Sequence, residues 1–240
     1  MTLLEIAVQD VAGARTAIGA GADRLELCQA LGVGGLTPSI GTIEQVADAV
    51  GGERIAVLVR PRPGGFVYDA DEVELVSRDI AAAAARGAGG VVVGALTETG
   101  LVDTEALRRW REAAGDADLV FHRAIDTLEQ PETVLESLVE AGVTRILTSG
   151  GAVRSLDGAE TLARLVEAAE GRLDIMAGGG VTVEAIPTLV AAGVAAIHLS
   201  AKRPSTSTDP SGPGGGAPEY DVTDAGIVAA AAAALAEAAR

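Results

Sequence analysis

The chain holds two histidines, His122 and His198, and each interrupts a short apolar run. Glu5, Glu26, Arg60, Arg62 and Asp126 interrupt similar runs, and Cys28 is the one cysteine. An ionisable group in an apolar segment needs an internal partner or a ligand. The residue types indicate what chemistry a ligand would meet. His122 suits general acid–base work, with Glu26 or Asp126 orienting it or acting directly. Arg60 and Arg62, two residues apart, suit paired donation to a carboxylate or phosphate. Thr148-Ser149-Gly150-Gly151 and Gly178-Gly179-Gly180 are stretches whose backbone N–H groups can approach an anion. Ser200 and Lys202 follow His198 at alternate positions, and Glu5 adds a carboxylate. The structural alternative is an ion-pair layer in which Arg60 and Arg62 neutralise Glu5 and Glu26.

Lys202 and Cys28 each stand alone. Lys202 is the single lysine among eighteen Lys and Arg residues, so Schiff-base chemistry would have to use it. A single cysteine rules out an intramolecular disulfide. A thiolate at Cys28 would suit a soft ion such as Cu(I), yet no CxxC and no histidine at short range accompanies it.

These residues need a scaffold that brings distant segments together. Eight β-branched runs are expected as strands: Leu3–Val8, Arg24–Cys28, Ile55–Arg62, Gly90–Leu96, Leu119–Asp126, Arg145–Gly150, Leu173–Ala177 and Ala196–Ser200. Between them lie helix-like segments at 10–20, 42–50, 71–86, 103–114, 131–141, 157–170 and 182–192, with capping groups in Thr42, Asp71, Asp103, Thr127 and Asp157. A small–Gly–small phrase recurs before strands at Gly21, Gly87, Gly142 and Gly193, where a helix needs a left-handed C-terminal residue. Alternation of this kind implies parallel strands with right-handed crossovers, and eight strands favour a closed (β/α)8 TIM barrel over a doubly wound sheet. Alternation within strands puts Glu26 with Cys28, Arg60 with Arg62, His122 with Asp126, and His198 with Ser200 on shared faces. Most fall late in their strands, where barrel active sites form. The expectation is one barrel domain over 1–240, with a flexible loop or lid at about 203–219 before a last helix at 222–239.

Composition narrows the partners. The formal charge is −16 and aromatic residues make up 2%, so neither phosphate-backbone attraction nor base stacking favours nucleic acid. No basic-then-apolar leader and no apolar run of bilayer length is read, so a cytoplasmic protein is expected.

LLEIAV at 3–8, GADRLELCQALGVGGLTPS at 21–39, VLVRPRPGGFVY at 57–68, GALTETGLVD at 94–103, FHRAID at 121–126, RILTSGG at 145–151, MAGGGVT at 176–182 and IHLSAK at 197–202 resemble the CutC family. The resemblance spans nearly the whole chain in order. It implies a (β/α)8 barrel, a role in copper homeostasis and association into a homo-oligomer. It also places Glu5, Glu26, Cys28, Arg60, Arg62, His122, Arg123, Asp126 and His198 at the most family-like strand ends. Copper binding is proposed for the family through cysteines, which would make Cys28 the metal ligand here. This chain departs from the two-cysteine version, so His122, His198, Met176 or another subunit would have to complete such a site. The residues by themselves point instead to an isomerase- or lyase-type enzyme acting on a small anionic or phosphorylated metabolite. A third possibility is a scaffold whose polar layer is purely structural.

Overall fold

A computed structural model describes residues 2–206 and 220–238 of the chain. Eight parallel strands close into a barrel in chain order: β1 (Leu3–Val8), β2 (Arg24–Leu27), β3 (Ile55–Leu58), β4 (Gly90–Val93), β5 (Asp118–Phe121), β6 (Arg145–Thr148), β7 (Asp174–Gly178) and β8 (Ala196–Leu199). Pairing of β8 with β1 shuts the ring. The outer layer consists of α1 (Val11–Gly19), α2 (Ile40–Val50), α3 (Ala70–Ala85), α4 (Thr104–Ala114), α5 (Leu135–Glu140), α6 (Ala159–Ala169), α7 (Ile186–Ala191) and α8 (Ala225–Ala238). The fold expectation therefore holds.

Alternation along the strands creates two apolar layers. One set of side chains, among them Ile6, Val57, Val91, Phe121 and Ile197, packs outward against the helices. The other set, Cys28, Ala56, Leu58, Val92, Val120, Leu147, Met176 and Ala196, forms a smaller inner cluster. At the strand starts Arg145 lies between Asp118 and Asp174, 3.6 and 3.9 Å away, and closes the barrel floor with charge.

Helix ends follow local chemistry. Gly21, Gly87, Gly142 and Gly193 all take positive φ, between 78 and 108°, as the repeated phrase predicts. Asp10, Ser39, Asp69 and Asp103 cap α1 to α4 by accepting N–H bonds three residues on, and Asp69 with Glu72 makes a reciprocal capping box. Of the expected caps only Asp103 is one. Helices α2 and α3 start earlier than expected, because Ser39 and Asp69 offer an acceptor before Thr42 and Asp71 do.

Three boundaries matter for function. Strand β3 stops at Leu58 and β5 at Phe121, so Arg60, Arg62, His122 and Asp126 lie on loops rather than on strand faces. At β5 the cause is His122 itself, whose Nδ1 accepts the Ala124 N–H and winds Arg123–Thr127 into a 3-10 turn. Beyond β8, Lys202–Pro204 and Asp221–Thr223 pair as a short antiparallel hairpin, β9 and β10, in place of the loop start and helix start expected there. The rest of the expected loop, 207–219, lies outside the described residues.

Candidate functional site

Strand register builds the deepest part of the site. Glu5 on β1 stands level with Arg24 on β2 and with His198 on β8. Its two oxygens divide accordingly: Oε2 accepts from Arg24 Nε at 2.5 Å, and Oε1 lies 2.9 Å from His198 Nδ1. The other ring nitrogen of His198 is 3.7 Å from Glu26 Oε2. A buried row Arg24–Glu5–His198–Glu26 thus runs from the barrel interior to its mouth. Glu5 and Glu26 are neutralised by Arg24 and His198, not by Arg60 and Arg62 as the ion-pair layer required.

The row sets the protonation of its members. Burial alone would raise Glu5, but the bonds from His198 and Arg24 outweigh it and hold its carboxyl down at about 2. Glu26 is buried with fewer partners, and burial, opposed by His198 and reinforced by Glu5, pushes it up to about 7. Burial opposes the charge on His198, yet the Glu26 and Glu5 carboxylates together raise it. A carboxyl that titrates near neutrality is the state a proton-transfer group needs.

Above the row opens a pocket of about 530 Å³ at the C-terminal mouth, lined by Glu26, His198, Arg60, His122, Arg123, Asp126, Gly179, Gly180 and Ser200 among others. Arg60 is 7% exposed, and among the described residues it pairs with no carboxylate. Its Nη1 donates to the carbonyls of Val33 and Gly35, and its Nη2 donates to that of Gly64. Its Nε has no partner among the described residues. Phe66 packs on the guanidinium at 5.3 Å and on the His122 ring at 4.8 Å. Gly179 and Gly180 turn with φ of 114 and 59°. Among the described residues their N–H groups have no backbone or side-chain acceptor.

His122 is buried, and its ring occupies space that only glycine at 94 leaves open: a Cβ there would stand 2.4 Å from the ring. Burial, followed by the charge of Arg60, pushes its pKa down to about 3. Since Nδ1 accepts from Ala124, the ring proton of the neutral form sits on Nε2, which has no partner among the described residues. Chemically His122 is a fixed N–H donor. The sequence reading cast it as a general acid or base, whereas its lowered pKa and its bond from Ala124 favour a neutral donor.

Other expected site residues serve different ends. Asp126 is saturated: its carboxylate accepts from Thr148 Oγ1, Ser149 N and Oγ, Gly151 N and Arg123 Nε. It ties the β5 and β6 loops together and is a positioning residue. The Ser149 hydroxyl is shared between Asp126 Oδ2 and the Ala152 carbonyl and accepts from Arg123 Nη2. Arg62 pairs with Glu72 and stacks on Tyr68, outside the pocket. Gly178 ends β7 beneath the lining, opposite His198. Lys202 is bound to Asp221 at 2.5 Å across the hairpin and does not line the pocket. Arg24 and Phe66 go beyond the sequence reading of the site. Arg24 had a signal, since it precedes Glu26 by two residues and so shares its face.

Cys28 lies fully buried in the inner apolar cluster beside Leu58 and Met176. Burial, then the Glu26 charge, pushes its thiol up, away from the thiolate a metal needs. Among the described residues no group of three His, Cys, Asp or Glu side chains is disposed to hold a metal ion. The residues around Cys28 do not fit a copper ion.

Comparison with known proteins places this geometry in a family. The CutC family profile matches residues 2–203. The chain belongs to the CutC family. A CutC family protein of Agrobacterium fabrum is 46% identical over 188 residues, 78% of this chain and 74% of that one. One from Xanthomonas campestris pv. campestris is 45% identical over 202 residues, 84% of each. The crystal structure of CutC from Streptococcus agalactiae, named there for copper homeostasis, superposes with a TM-score of 0.78 at 34% identity. It covers 83% of this chain and 99% of that one. A thiamine phosphate pyrophosphorylase from Pyrococcus furiosus, 16% identical with a TM-score of 0.61, shares the fold alone.

Proposed function

We propose that this CutC family member is an enzyme whose pocket binds a small anionic, phosphate- or carboxylate-bearing metabolite. The observation that carries the reading is Arg60, a buried cation at the wall of an open pocket that, among the described residues, is held by three carbonyls and the Phe66 ring and by no carboxylate. A buried charge without a counter-ion costs several kcal/mol, on the order of what a bound anion would offset. The N–H groups of Gly179 and Gly180, with Ser200 beside them, supply the neutral donors typical of anion sites after the seventh and eighth barrel strands. Glu26, backed by His198 and Glu5, is the proton-transfer group of this enzyme.

A role in copper homeostasis comes from the family and from the naming of the Streptococcus agalactiae protein. Such a role fits a metabolic activity as well as it fits metal binding, and Cys28 is a poor copper ligand. A cytoplasmic location and self-association belong to the same proposal.

Thermal denaturation with a panel of phosphorylated and carboxylated metabolites tests it. A ligand at a hundredfold excess over its Kd stabilises by about 2.7 kcal/mol, or roughly 5–10 °C for a chain of this size. Arg60→Met should abolish that shift and Cys28→Ala should keep it. Tight stoichiometric copper binding that disappears in Cys28→Ala would sink the proposal.

A further inference from the structure

His122 Nε2 is a hydrogen-bond donor buried in the pocket wall with nothing among the described residues to accept from it. An unsatisfied buried N–H costs about 1–3 kcal/mol, and here the Ala124 bond to Nδ1 prevents the ring from reversing its polarity. Phe66 at 4.8 Å and Phe121 at 6.0 Å flank the ring and offer it no acceptor. The acceptor it lacks is an oxygen supplied by a ligand.

Resting on the anion reading of Arg60, we propose that the substrate is a small anionic ketone or aldehyde which the pocket enolises, His122 Nε2–H holding the carbonyl oxygen while Glu26 moves the proton on the adjacent carbon. The step balances within the chain. A Glu26 carboxylate oxygen takes H⁺ from the carbon next to the carbonyl. The C–H electron pair becomes the C=C bond, and the C=O pair moves onto the oxygen held by His122. The protonated Glu26 then returns H⁺, either to the same carbon or, once the enediol proton shifts, to the former carbonyl carbon. No oxidant, reductant or leaving group is involved.

Two absences from the pocket direct the chemistry to His122. Lys202, the chain's single lysine, is engaged with Asp221 on the hairpin, so carbonyl activation through a Schiff base has no amine there. Cys28 is buried beneath the lining, so thiohemiacetal formation has no exposed sulfur. A neutral imidazole donor suits the task, because a donor that keeps its proton stabilises the enolate oxygen without quenching it. Glu26, poised near neutrality, is present both as the base that begins the step and as the acid that ends it.

Proton NMR in D₂O tests this directly. The pure protein is incubated with small ketones and aldehydes bearing phosphate or carboxylate, dihydroxyacetone phosphate and 2-oxobutyrate among them. Affinities for these and for the carbonyl-free glycerol 3-phosphate and 2-hydroxybutyrate are measured in parallel. Expected is protein-dependent deuterium incorporation next to the carbonyl of a bound probe. Glu26→Gln should slow it by about 100-fold or more. His122→Phe should slow it by about 100-fold and narrow the affinity gap between carbonyl and alcohol, while His122→Gln, which keeps an N–H donor, restores part of both. Arg60-dependent binding with no exchange from any probe would overturn this inference and leave the anion reading standing. If no probe binds the wild-type protein, both fall.

Discussion

Glu26 and Glu5 are both buried carboxyls within one row, yet they titrate on opposite sides of the ordinary value, at about 7 and about 2. The difference is partner count: Glu5 is bonded on both oxygens, whereas the ring nitrogen nearest Glu26 is 3.7 Å away. The sign of each effect on stability follows. Glu5, lowered in the folded state, stabilises the fold above pH 4.5, and that gain is lost as pH falls toward 2. Glu26, raised in the folded state, binds its proton more tightly when folded, so stability falls as pH climbs from 4.5 toward 7. Glu26→Gln removes that loss. Urea denaturation should therefore show the variant gaining on the wild type between about pH 4.5 and 5.5, below the ordinary titration range of a histidine such as His198. A constant difference across that range would mean that Glu26 is not perturbed.

Short strands followed by structured loops explain which parts of the site were legible in sequence. Eight β-branched runs and four left-handed glycines sufficed to place the barrel, because period-2 alternation and helix-stop chemistry are local signals. Glu5, Glu26 and His198 could be placed because they sit on strands whose neighbours follow from barrel closure. Arg60, His122 and Asp126 were found as residues, but the contacts that hold them were not. Each lies one to five residues past its strand end, where alternation no longer says which way a side chain points. Arg62 and Lys202 also lie past strand ends, and each pairs with a carboxylate, Glu72 at the start of α3 and Asp221 on the hairpin. Asp126 shows what such loops need: five donors converge on one carboxylate to hold β5 and β6 loops in register. Asp126→Ala should cost about 2–3 kcal/mol in chemical denaturation, since several buried donors lose their acceptor. A cost under about 0.5 kcal/mol, the size of an ordinary surface change, would remove Asp126 from the positioning role.

Across the whole molecule a formal charge of −16 competes with a set of surface ion pairs. Arg86–Glu44, Arg109–Glu74 and Arg164–Glu132 link neighbouring outer segments at 2.7–3.0 Å, but exposed pairs contribute only about 0–1 kcal/mol each. Repulsion among the excess carboxylates acts at longer range, which salt screens first. Raising NaCl from about 0.05 to about 1 M should therefore raise Tm, the Debye length falling from above 10 to about 3 Å. A fall in Tm would show that the ion pairs outweigh the repulsion.

The loop over Cys28 carries one more consequence. Gly35 packs so closely that a Cβ on it would come within 3.7 Å of the sulfur, and the Gln29–Leu36 bridge closes the loop. Arg60 holds that same loop by two of its carbonyls, Val33 and Gly35. A ligand that draws on Arg60 thus competes for the clasp that shelters the thiol. Cys28 becomes a latch indicator: the speed at which an alkylating reagent reaches it counts how often the clasp lets go, and ligand occupancy is written into that speed.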